Sequence, residues 1–132
     1  MKKILLPLAS LFLLLPLACK KGPGEGGKAS IKGQIWVRDF NQNFTVLNGE
    51  YAGHDEDVYI IYGEDVNYGE HLKTNYNGEF EFEFLRPGTY KVYAYSEDST
   101  MQSASGEVVV IREVEIGKKT SEVVIPRLTI CK

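Results

Sequence analysis

Two histidines, a run of carboxylates and a surplus of tyrosines are the residues of this chain whose types can do chemistry. His54 is followed by Asp55, Glu56 and Asp57, which puts an imidazole and three carboxylates at consecutive positions. Adjacent residues of an extended chain point in opposite directions, so this run does not converge on a substrate and reads as a solvated loop. His71 stands alone. Neither histidine belongs to a His-Glu-x-x-His zinc helix, and the chain has no Gly-x-Ser-x-Gly nucleophile elbow. Asp39, Asn41 and Asn43 offer oxygen ligands at alternate positions, but the glycine and distal glutamate of a calcium loop are missing at the required spacing. Glu79, Glu81 and Glu83 share one face of a strand pattern, and outward glutamates that discourage edge pairing account for them. The sequence predicts no catalytic residue, no metal site and no cofactor.

The aromatic residues are more informative. With Val58, Ile60, Tyr90, Val92 and Ala94 facing a core, the period of two turns Tyr59, Ile61, Tyr93 and Tyr95 outward, and Trp36 faces outward from the first strand. Outer faces of β-sandwiches are usually polar, so Trp36, Tyr59, Tyr93 and Tyr95 are the candidate ligand-binding residues. They suit a glycan or a partner protein, because Tyr and Trp combine a large apolar area with a polar handle.

The elements that position them are strands. Ile31, Gly33, Ile35 and Val37 alternate with polar or outward residues; Asp39 to Glu56 is a long polar stretch with a short strand expected around Phe44 to Leu47; and the near-continuous apolar run Val58 to Tyr62 is expected at the centre of a sheet. A shorter strand is expected over His71 to Tyr76. Asn77 to Tyr95, NGEFEFEFLRPGTYKVYAY, reads as a hairpin in which Phe80, Phe82 and Phe84 point inward, Pro87-Gly88 turns, and the Tyr90 hydroxyl caps the corner. Glu107 to Ile116 and Glu122 to Ile130 complete the pattern, with Pro126 marking an edge or bulge in the last strand. About seven strands without a helical period predict a single all-β domain, an antiparallel β-sandwich over 29–132.

The first 18 residues are different material. Lys2 and Lys3 precede a run from Ile4 to Ala18 that is apolar except for Ser10 and holds two prolines, too short for a spanning helix and characteristic of a signal peptide. Leu15-Pro16-Leu17-Ala18-Cys19 resembles a bacterial lipobox, which implies lipidation of Cys19, a membrane partner through the lipid anchor and a bacterial outer-membrane lipoprotein, on its periplasmic or surface face. The glycine-rich stretch from Lys20 to Lys28 reads as a flexible tether, so that 19–28 links anchor and domain. Removing Lys2 and Lys3 leaves 13 basic against 18 acidic residues, a side-chain balance of −5 that argues against nucleic acid as a partner. With Cys19 lipidated, Cys131 is a lone thiol and no disulfide framework is possible.

Gly33, Val58-Tyr59-Ile60, Thr74 to Phe80 and Leu85 to Val92 together resemble the carboxypeptidase regulatory-like domains, transthyretin-like sandwiches related in pattern to the B-type repeats of bacterial adhesins. The resemblance spans nearly all of 30–130 and rests on turn and core positions, so it implies a fold and not a ligand. The resulting expectation is a non-enzymatic, lipid-anchored accessory structural or binding module of a bacterial envelope. The alternatives are a glycan- or protein-binding lipoprotein using the outward aromatics and long loops, and a small transthyretin-like hydrolase, for which the convergent histidines and hydroxyls are lacking.

Overall fold

A computed structural model describes residues 22–132. The signal segment 1–18, Cys19 and the first part of the tether lie outside the described residues. Among the described residues the chain forms nine strands and no helix: β1 (Glu25–Phe40), β2 (Leu47–Ala52), β3 (Asp57–Tyr62), β4 (Glu70–Lys73), β5 (Glu79–Leu85), β6 (Gly88–Glu97), β7 (Glu107–Ile116), β8 (Glu122–Val124) and β9 (Leu128–Cys131). They make two sheets. One is built along β1, which pairs with β2 and β5 antiparallel and with β8 and β9 parallel; the other has the order β4-β3-β6-β7.

The period-two pattern sets the core. Ile31, Ile35 and Val37 of β1, Phe82 and Leu85 of β5, Val58 and Ile60 of β3, Tyr90, Val92 and Ala94 of β6, and Leu128 and Ile130 of β9 are all buried between the sheets. Burying a side chain such as these is worth about 1.5–3 kcal/mol each, so this layer is what holds the sheets together. Gly33 is part of it: a Cβ there would come within 2.5 Å of the Phe80 ring, which therefore lies directly over the β1 backbone. The Asn77-Gly78 turn forms as expected. Gly78 has φ +72°, and Asn75 Oδ1 accepts hydrogen bonds from the backbone N–H groups of Asn77 and Glu79.

Several expectations are corrected. The stretch from Asn77 to Tyr95 is not a hairpin: β5 lies beside β1 and β6 beside β3, so Leu85 to Gly88 carries the chain from one sheet to the other. Alternation tells which face a residue occupies but not which strand lies beside it. Phe84 is 68% exposed with φ +58°, and the β1–β5 register shifts between Ala29 and Ile31. The extra residue forms a bulge that turns Phe84 out and brings Leu85 into the core in its place. The last strand is broken at Pro126 into β8 and β9, which pair parallel to β1, so the sheet built along β1 is mixed while the β4-β3-β6-β7 sheet is antiparallel, and the strands among the described residues number nine. The second strand lies at Leu47–Ala52 rather than around Phe44, and the short fourth strand at Glu70–Lys73 rather than up to Tyr76.

The presumed tether is ordered in its second half. β1 begins at Glu25, and the Tyr90 hydroxyl, capping the corner as expected, donates to the Arg86 carbonyl at 2.5 Å and accepts from Gly24 N–H at 2.9 Å. Arg86 Nε donates to the Gly22 carbonyl at 2.7 Å and its Nη1 to the Glu25 carbonyl.

Candidate binding site on the four-stranded sheet

The β3–β6 register sets Tyr59 opposite Tyr93, and the β3–β4 register sets Tyr59 opposite His71. All three side chains leave the sheet on its outer side. Tyr59 stacks on Tyr93 with ring centroids 5.0 Å apart and planes 11° apart, and on His71 at 4.7 Å and 11°. These separations match the strand spacing of about 4.7–4.9 Å, so the rings stand side by side like plates in a rack and each covers the faces of the next. Two further tyrosines meet the rack at a steep angle: Tyr95 lies 5.6 Å from Tyr59 at 79°, and Tyr68, from the loop after β3, lies 5.0 Å from it at 64°. Tyr68 and Tyr95 are 51% and 46% exposed, whereas Tyr59 and Tyr93 are only partly so. The rack is a rigid support, and Tyr68 and Tyr95 are the rings a ligand meets.

A polar rim borders the cluster. His71 Nε2 lies 2.7 Å from Asp57 Oδ1, and Lys73 Nζ lies 3.3 Å from the same oxygen. The hydrogen bond from His71 holds the Asp57 carboxyl below the usual aspartate range, helped by Lys73 and opposed by partial burial. Partial burial pushes the Tyr59 and Tyr93 hydroxyls above their ordinary value, with weaker contributions from neighbouring Asp57 and Tyr95, so both are neutral donors at physiological pH. On the β7 side Tyr93 is followed by Ile111 and Tyr95 by Val109, which continue the apolar surface to the sheet edge.

Of the four aromatic candidates from sequence, the structure brings together Tyr59, Tyr93 and Tyr95 and sets Trp36 apart on the other sheet. Trp36 is covered there by the Arg127 guanidinium, 4.4 Å from the ring centroid, and its Nε1 donates to Glu50 at 3.3 Å. Beside it a cleft of about 600 Å³ is lined by residues that include Lys32, Gln34, Glu79, Glu81 and Arg127. Tyr68 and His71 were missed as members of the cluster. His71 joins through its pairing with β3, and the alternation of β3 alone carries no mark of it. Tyr68 stands in a loop that alternation does not reach. His54 stacks on Tyr76 at 4.3 Å, away from His71. Among the described residues no group of three or more His, Cys, Asp or Glu converges as a metal site.

No family model matches the chain, and no curated protein matches it. Among solved structures, one similar chain is a proposed carbohydrate binding protein from Pseudomonas aeruginosa, 16% identical, covering 79% of this chain and 91% of that one with a TM-score of 0.45. The fold and site define this chain as an all-β protein of two packed sheets that carries an exposed tyrosine cluster on one outer face.

Proposed function

We propose that this chain is a non-enzymatic, lipid-anchored binding module of a bacterial outer membrane, held through Cys19, and that its tyrosine face takes carbohydrate. The observation that carries the reading is the pairing of a rigid rack, His71-Tyr59-Tyr93, with the exposed rings of Tyr68 and Tyr95. A sugar presents an apolar C–H face that packs on an aromatic ring and hydroxyls that hydrogen-bond at its edge. Asp57, His71 and Lys73 stand at the rim to meet such hydroxyls. Rings already fixed by their neighbours lose little freedom on binding, which favours affinity. The surface is open rather than a deep pocket, which suits a stretch of polysaccharide better than an enclosed small molecule. The Asp57–His71 pair lacks a serine, threonine or cysteine hydrogen-bonded to it among the described residues, which favours binding over hydrolysis.

Titration of the full chain with a panel of soluble polysaccharides, followed by tyrosine fluorescence, tests the proposal. A saturable change lost in Tyr68→Ala and Tyr95→Ala is expected, with the emission maximum of Trp36 on the opposite sheet unmoved. No saturable response to any polysaccharide, or one that survives both substitutions together, overturns it.

A further inference from the structure

Among the described residues, the free strand edges of the two sheets are protected unequally. β4 is four residues long and carries His71 and Lys73; β2 is six residues long with a register break beside Asp39 and Phe40; β5 alternates Glu79, Glu81 and Glu83 and ends in the bulge at Phe84; and β8 and β9 are short and separated by Pro126. Shortness, irregularity, charge and proline are the usual devices that stop a sheet edge from recruiting another strand. β7 has none of the first two and no proline. It runs ten residues and pairs with β6 through ten successive positions, Gly88↔Ile116 to Glu97↔Glu107, with no bulge. Its central residues Val108, Val109 and Ile111 are exposed. The Arg112 guanidinium donates to the Ile111 carbonyl at 3.1 Å, which shows that this carbonyl points to the free edge; by the period of two, Val109 and Glu113 turn their amide groups the same way.

We infer that β7 is a docking edge that accepts an extended strand from a partner protein, and that the strand is apolar at its centre and basic at its flanks. The charge pattern selects that occupant: Val108 to Ile111 is bounded by Glu107 on one side and by Glu113 and Glu115 on the other, with Arg112 the one cation of the strand. A second copy is disfavoured by the same residues. In a continuous two-fold sheet outward residues oppose outward residues, so pairing about Val110 sets Glu107 opposite Glu113, pairing about Ile111 sets it opposite Glu115, and pairing about Arg112 sets that cation opposite its own copy; the register about Val109 avoids like charges but overlaps only from Glu107 to Ile111. Like charges directly opposite one another destabilise a strand pair. The incoming strand displaces the Arg112 side chain from the Ile111 carbonyl and continues the β4-β3-β6-β7 sheet, its backbone giving affinity and its lysines the choice of partner.

The test uses the full chain and a capped peptide of alternating Val and Thr flanked by two lysines at each end. Amide hydrogen exchange read residue by residue is expected to slow at Val109, Ile111 and Glu113 on adding the peptide, and not with the same peptide N-methylated along one edge or flanked by glutamates. Ile111→Pro removes an edge-facing N–H without breaking the ladder to β6, and Val109→Lys adds a charge at the centre; each is expected to weaken binding tenfold or more. Unchanged exchange at millimolar peptide, equal binding of the glutamate-flanked peptide, or concentration-dependent dimerisation through β7 in place of peptide binding overturns the inference. Loss of glycan binding in Tyr68→Ala leaves this readout untouched, so the two proposals fail separately.

Discussion

The outer faces of the two sheets have opposite chemistry. On the sheet built along β1, Lys32 lies 3.9 Å from Glu81 and 3.4 Å from Glu122, Arg38 lies 3.2 Å from Glu50, and the one tryptophan is covered by Arg127. On the β4-β3-β6-β7 sheet the equivalent middle row is three stacked rings with two more leaning on them. Each face keeps its core side apolar by the same alternation, so burial does not explain the difference. A charged face satisfies its groups in water and against each other. An aromatic face left half open gives up apolar area to solvent, and this is the cost that the proposed contact surface would offset.

The contrast can be broken by substitution. Tyr59→Ala removes the middle plate of the rack, and is expected to lower stability by about 2–3 kcal/mol, less than the roughly 3–5 of a large aromatic truncated in a core because Tyr59 is only partly buried; urea denaturation measures it, and a cost under a few tenths would mean that the stack is not a support. Tyr95→Ala leaves the rack standing and is expected to weaken glycan binding about tenfold, equal to about 1.4 kcal/mol, with unfolding little changed. On the other face Trp36→Ala loses the contact with Arg127, worth about 0.5–1 kcal/mol at an exposed site, and is expected to leave glycan binding as it was. A binding loss as large as that of Tyr95→Ala would move the site to the wrong sheet. Lys32→Ala is the smallest change, about 0–1 kcal/mol, and is expected to vanish in 1 M salt, where the screening length is about 3 Å.

Acid separates two carboxylates. Asp98 accepts hydrogen bonds from Thr100, Gln102 and Ser103, led by the Thr100 hydroxyl, and its pKa is held down to about 2, whereas Asp57 is lowered chiefly by His71. Both folded values lie below the ordinary 3.8, so each group contributes stability that is fully present above that value and is lost as pH falls through its depressed folded value. Denaturation curves at pH 5 and pH 2 are expected to converge partly in Asp98→Asn and in Asp57→Asn, with only the second altering the tyrosine face.

Much of this was legible in the sequence. The period of two placed Val58, Ile60, Tyr90, Val92 and Ala94 inside, turned Tyr59, Tyr93 and Tyr95 outward, and located β3, β6 and β7. What it does not carry is partnership. Phe80 and Phe82 alternate as strongly as residues of a hairpin, yet their strand pairs with β1, dozens of positions earlier in the chain. The same limit hid His71, which reaches the cluster only because β4 lies beside β3, and separated Trp36 from it, because nothing local tells one outer face from the other. Phe84 was lost to a left-handed backbone position that phenylalanine seldom adopts and that no local residue type announces.

The clasp around the N-terminal segment has a mechanical consequence. Arg86 stands on the corner that joins β5 to β6, and it grips Gly22 and Glu25 while Tyr90 grips Gly24. Tension drawn along the chain at Gly22 therefore enters both sheets at once instead of peeling one strand from an edge. β1, which receives that pull along its axis, has neighbours on both sides, so its ladder bonds share the load in shear. The domain is braced like a post set in a socket, and a pull on the tyrosine face is carried to Gly22 through a stiff body.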